Sequence, residues 1–313
     1  MGRLQARAVR VLSPASAFLL FAQAAIVVTG GAVRLTGSGL GCPTWPECTP
    51  GSYTPKPYQV EEQVKVWIEF GNRLLTFVLV LAAITVLISV LAAGRKDLRG
   101  LALGQVLGIL GQGILGGITV LTGLHPATVA AHFLLSIILI AGATSLRAQR
   151  FASFEKEEPA PLVKKIATAH IAISFFVLFL GTLVTGSGPH AGDATADRFP
   201  FDLRTIAWLH ADFVIALFGV AFGLFVVNGV SSHTKKRLRI FLIIALCQGL
   251  IGYVQWFKDL PEILVGLHLV GSTLVWIASW RVWLSVTKRM DSKLAHRQVG
   301  QNLMIRSLHM HGL

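Results

Sequence analysis

Two groups of residues in this chain have types and spacing that could do chemistry. The first is Trp67-Ile68-Glu69-Phe70-Gly71-Asn72-Arg73, at the mouth of the apolar run from Leu74 to Ala93. On a helix, Glu69, Asn72 and Arg73 fall at i, i+3 and i+4 and share one face. Ionisable groups beside a membrane segment are costly to bury and mark a functional site by default. The plainer reading is an interfacial Glu69–Arg73 pair whose stems snorkel, and the stretch alone leaves both open. The second group is His132, His210 and His268, each inside an apolar run: Ala131-His132-Phe133-Leu134, Trp208-Leu209-His210-Ala211 and Leu267-His268-Leu269-Val270. Two imidazoles meeting inside a helical bundle suit the axial positions of haem iron. Zinc would want three or four ligands, and no third Cys, His or carboxylate falls at matching depth. Histidines bonded to neighbouring helices are the other alternative.

The elements that must hold these residues are membrane spans. The chain has 313 residues, 53% hydrophobic and 14% charged, with mean hydropathy +0.65. Crossing a hydrocarbon core of about 30 Å takes about 20 helical residues, and only helices satisfy their own backbone within continuous apolar runs. Eight spans are predicted at roughly 14–34, 64–93, 100–122, 127–149, 162–186, 204–229, 237–256 and 261–287. A formal charge of +13 would suggest nucleic acid in another setting, but here it follows the connections. Arg3, Arg7 and Arg10, then Arg95, Lys96 and Arg99, then Arg147 to Lys165, then Lys235 to Arg239, and finally Lys288 to Arg306 occupy alternate ones. That is the positive-inside pattern, with both termini cytoplasmic. The charge therefore describes topology in a lipid bilayer and no nucleic-acid partner. No small-residue cleavage site follows the first span, which is read as retained.

The two halves of the chain look like copies. Leu35-Thr36-Gly37-Ser38-Gly39 ends the first span and Val184-Thr185-Gly186-Ser187-Gly188 the fifth. Gly111-Gln112-Gly113 recurs as Cys247-Gln248-Gly249. The interval from Gln112 to His132 equals that from Gln248 to His268, and Asn72 or a close neighbour is the counterpart of His210. A repeat of four spans keeps its orientation, so the expected architecture is two tandem four-helix bundles related by a pseudo-two-fold axis along the membrane normal. The expected domains are 1–150, a linker at 151–160, 161–290 and a cytoplasmic tail at 291–313.

Cys42 and Cys48 bracket Pro43-Thr44-Trp45-Pro46-Glu47 in the first external loop, where an oxidising environment favours a disulfide over a metal site. Cys247, inside a span, is read as inert packing. The glycines from Gly104 to Gly117 are read as helix contacts. His125 is expected to serve a loop. His170 lies near the start of the fifth span and His190 in the third external loop, while His233, His296, His309 and His311 are expected to be solvated.

With these residues in hand, the chain resembles the haem A synthase family. The matching features are Thr36-Gly37-Ser38-Gly39, the Cys42/Cys48 loop with Trp45-Pro46, Glu69-x-x-Asn72-Arg73, the Gln-Gly pairs, and His132, His210 and His268, spanning about residues 15 to 287. The resemblance implies a b-type haem held by His210 and His268. It implies a haem O substrate site in the first half, with His132, Asn72 and Arg73 around it, where the C8 methyl is oxidised to a formyl. It implies a catalytic role for Glu69, and a haem O synthase and an electron acceptor as candidate partners. The family motif is usually Glu-x-x-His-Arg, so Asn72 is a departure, and His132 alone is expected to hold the substrate iron. The third external loop also lacks the second cysteine pair of some members. A passive transmembrane b-type cytochrome would explain His210 and His268 but leave Glu69 idle. A small-molecule transporter would need paired broken helices near the bilayer midplane, and none is visible.

Overall fold

The computed structural model describes residues 3–57, 60–150, 154–155, 159–287 and 289–290. Their main elements are α1 (Arg3–Leu35), α2 (Gln63–Ala92), α3 (Arg99–Leu121), α4 (Pro126–Gln149), α5 (Pro161–Ser187), α6 (Leu203–Val226), α7 (Ser232–Phe257) and α8 (Glu262–Thr287). All eight are long and apolar enough to cross a membrane. Two residues of backbone, β1 (Phe154–Glu155), pair antiparallel with β2 (Arg289–Met290), a link the sequence reading of linker and tail did not include. The predicted tail at 291–313 lies outside the described residues.

The helix starts follow local chemistry. Pro126 and Pro161 occupy first-turn positions of α4 and α5, where the missing N–H costs nothing. Asp202 accepts from the Thr205 amide at 2.8 Å, and Ser231 accepts from the Thr234 amide at 3.2 Å, each satisfying an orphan donor. The Ser231 cap starts α7 at Ser232, earlier than the 237 expected from hydropathy alone. Likewise α1 begins at Arg3 rather than near 14 and carries Pro14 within it, so it extends a polar stretch beyond the apolar run.

Within the first half, α1 packs on α2 and α4, and α3 packs on the same two. Within the second half, α5 and α7 pack on α6 and α8 in the same order. The pairs α1/α8, α4/α5 and α4/α8 join the halves. At that seam the Trp276 indole donates to the Ile137 carbonyl at 2.6 Å and the Trp280 indole to Ser145 Oγ at 2.8 Å. The turns repeat as well: Gly123-Leu124 and Asp259-Leu260 all have φ near +60°.

The apolar cores are placed unevenly. One contains Leu12, Leu19, Val86, Val90, Ile109 and Leu146; the other contains Val163, Ala221, Leu224, Leu238, Phe241 and Val282. Because neighbouring helices run antiparallel, these residues gather at the end of the molecule that carries the basic connections. The chemistry-bearing residues of both halves lie towards the opposite end, beyond the two cores. There His132, His210 and His268 each sit about two turns into their helices.

The basic end is laced together by arginines. Arg147 donates to the Ser13 carbonyl at 3.0 Å and to Ser13 Oγ at 3.1 Å, and Arg150 reaches the same hydroxyl at 3.2 Å. Arg95, paired with Asp97 at 2.6 Å, donates to the carbonyls that end α4, Gln149 at 2.8 Å and Arg150 at 3.0 Å. Carbonyls of a last turn lie beyond the helix's own ladder, and here they are met from outside.

Candidate functional site

Glu69 is buried at the disulfide-loop end of α2. Its Oε1 accepts from Arg73 Nε at 3.1 Å and Nη2 at 2.6 Å, the i, i+4 pairing expected of a helix. Its Oε2 accepts from the Cys42 amide at 2.5 Å. Arg73 then spends its remaining donors on the loop: Nη1 on the carbonyls of Thr44 at 3.0 Å and Glu47 at 3.1 Å, and Nη2 on that of Cys42 at 2.7 Å. Its guanidinium is thus committed to Glu69 and three loop carbonyls. Cys42 and Cys48 are bonded to each other and buried against Val66 and Phe70.

Two glycines let this loop close. A Cβ on Gly41 would stand 2.7 Å from the Lys65 carbonyl oxygen and 2.9 Å from the Val66 Cα, so the loop backbone lies directly on α2. A Cβ on Gly117 of α3 would stand 2.5 Å from the Trp45 ring. Gly117→Ala is expected to expel Trp45 from its seat, measured as a red shift and easier quenching of tryptophan emission. Unchanged emission would mean that Trp45 does not dock on α3.

The histidines repeat in space. His132 lies against Gly116 and His268 against Gly252, with a glycine Cβ set to meet the ring at 3.2 and 3.1 Å respectively. One turn along, Gln112 donates to the His132 carbonyl at 3.0 Å and Gln248 to the His268 carbonyl at 2.7 Å. In both rings Nδ1 is buried without a partner. His210 is held differently: its Nδ1 lies 3.1 Å from the Val177 carbonyl on α5. A carbonyl can only accept, so Nδ1 carries the proton and Nε2 keeps its lone pair for a metal. Asn72 meets α1 as His210 meets α5, with Thr29 Oγ1 donating to its Oδ1 at 2.7 Å. No group of three or more His, Cys, Asp or Glu that could hold a metal ion lies among the described residues.

The cytochrome oxidase assembly protein family model (COX15-CtaA) matches residues 15–201, more than half of the chain. The chain belongs to that family. Family membership and eight spanning helices make it a multi-pass membrane protein. It is 26% identical over 326 residues to a heme A synthase of Sinorhizobium fredii, covering 85% of this chain and 88% of that one. It is 28% identical over 189 residues to a heme A synthase of Halalkalibacterium halodurans, covering 59% and 61%. A heme A synthase of Lysinibacillus sphaericus is 32% identical over 171 residues, covering 51% and 53%.

Several residues of this family member escaped the sequence reading. Thr29 has no polar counterpart in the second half, so the repeat did not flag it; a lone hydroxyl in an apolar run was the only signal. Cys247 is exposed on its helix, which corrects its reading as internal packing. His170 is fully buried, edge-on to Phe241 at 4.6 Å, with both ring nitrogens unpartnered. His125 caps α4, its Nδ1 accepting from the Ala127 amide at 3.3 Å, and His190 bonds the Leu260 carbonyl at 2.8 Å.

Proposed function

We propose that this protein is a haem A synthase, oxidising the C8 methyl of haem O to a formyl. The observation that carries the reading is the duplicated cradle: an imidazole against a bare glycine, latched by a glutamine, towards the end of each half opposite the two apolar cores. The residues fit haem. His210 and His268 offer two imidazoles, each about two turns into its helix, and Gly116 and Gly252 leave room for the His132 and His268 rings to seat against the neighbouring helix. In this reading the two halves are tandem four-helix bundles related by a pseudo-two-fold axis. The b-type haem belongs to His210 and His268, where it supplies one-electron redox chemistry. Haem O belongs to the first half, with His132 as its iron ligand and Asn72 opposite.

Glu69 is the catalytic carboxylate of this proposal, held in one orientation by Arg73 and the Cys42 amide. Arg73 serves as its partner and as the anchor of the loop. In this reading both termini are cytoplasmic and the haem sites lie towards the external face, which the distribution of basic connections supports. A haem O synthase would supply the substrate, and an electron acceptor would take the electrons released.

Cells supplied with haem O and expressing this chain are expected to accumulate haem A, read by haem extraction and chromatography. Haem-loaded protein without haem A in the extract would instead favour a b-type cytochrome that only transfers electrons.

A further inference from the structure

We propose that an outward groove on α6 binds a lipid-soluble quinone, which takes up the electrons that leave the second-half site. This deepens the haem A synthase reading and rests on it. Arg204, Thr205, Trp208, Leu209 and Asp212 line the groove, and all five are exposed. Its volume of about 440 Å³ lies within the range of small-ligand sites. Asp212 is the unusual member. Leu203 opens the spanning helix α6 and Asp212 stands about 14 Å further along it. Among the described residues no ion pair holds its carboxyl. A carboxyl exposed to hydrocarbon is costly and marks function by default. The fold does not need it: with Asn72 as the counterpart of His210, the first half has Val66, Phe70 and Leu74 where the second has Arg204, Trp208 and Asp212. The charged groove belongs to the half that carries His210 and His268.

The groove selects its ligand by chemistry. The Arg204 guanidinium lies 5.5 Å from the centre of the Trp208 ring. Asp212 comes one turn further in, and its Cα–Cβ bond tilts back towards Trp208, as helical side chains tilt towards the N-terminus. An aromatic face thus lies between a donor and an acid. Arginine beside tryptophan also suits a lipid phosphate at the membrane surface, but Asp212 repels an anion. A quinone head is neutral and flat, with a carbonyl oxygen at either end. One oxygen accepts from Arg204, the ring lies along Trp208, and Asp212 serves as acid and base at the other. Trp208 and Asp212 are each two residues from His210, which turns them to the far side of α6 from its imidazole. The quinone and His210 are then one helix diameter apart, roughly 10 Å. The electrons balance. Converting a methyl and one water to a formyl releases four electrons and four protons, and two quinones take these up to become two quinols.

Decylubiquinone added to the purified full-length protein in phosphatidylcholine nanodiscs tests this by two readouts. Tryptophan emission reads binding whether or not haem is loaded. The native protein is expected to show saturable quenching, and Trp208→Phe to lose most of it. Asp212→Leu, which lipid tolerates, and Arg204→Gln should each weaken binding about tenfold, the loss of one hydrogen bond to a charged group. In haem-loaded protein reduced beforehand, decylubiquinone should restore the oxidised absorption spectrum. Asp212→Asn should slow that step about a hundredfold, the lower range for losing an acid–base group, with haem content and spectrum unchanged. Native protein without saturable quenching overturns this inference while leaving the haem A synthase reading intact. Displacement of the quinone by added phosphatidylglycerol overturns it too, making the groove a seat for lipid headgroups. Protein that takes up no haem overturns the parent reading instead.

Discussion

Replacing His268 by alanine is expected to strip the second-half haem from the purified protein, with bound b-type haem falling by tenfold or more, about what loss of even an outer partner can cost a metal site. The cause is local. His268 comes from the helix that also forms the seam, so its backbone is fixed by Gln248 and by the packing of Val275, Ala278 and Val282. Removing the ring takes away a ligand without moving the helix. His210→Ala should match it, whereas His132→Ala should leave that haem in place. His268→Met keeps a ligand and should retain haem with an altered reduction potential, which separates ligation from folding. A fully loaded His268→Ala protein with an unchanged spectrum would remove His268 from the site.

Changing Glu69 should have the next largest effect, and two substitutions divide it. Glu69→Ala leaves the Arg73 guanidinium half-buried without its anion and leaves the Cys42 amide unpaired. Removing one partner of a buried pair costs about 3–5 kcal/mol. The disulfide loop should open, so that Cys42 and Cys48 become easier to reduce and alkylate. Glu69→Gln keeps the size and still accepts from the Cys42 amide. Its loop should stay protected while haem A output falls about a hundredfold, the lower range for losing an acid–base group. If Glu69→Gln makes haem A at the native rate, the carboxylate is only a latch for the loop.

The sequence makes some of this legible and hides the rest for physical reasons. Spans appear because hydrocarbon demands long apolar runs, and the repeat appears because Gln112/His132 and Gln248/His268 keep one spacing. Helix ends are less legible: α7 starts where Ser231 caps it and α1 where a polar stretch continues, neither of which hydropathy weighs. The i, i+4 pairing of Glu69 with Arg73 could be read directly. That Arg73 also binds three loop carbonyls could not, because those contacts join residues 26 to 31 positions apart. Thr29 was hidden for the same reason, 43 positions from Asn72.

The arginines at the basic end act at two moments in the life of the chain. During synthesis, positive charge beside a span decides which way it is threaded, and any basic side chain would serve. Once the helices have assembled, Arg147 and Arg150 clasp Ser13 while Arg95 closes the last turn of α4. That second task needs the forked geometry of guanidinium. Lysines at these positions would thread the chain correctly and then leave the finished bundle loose at that end, so insertion and maturation would come apart in such a variant.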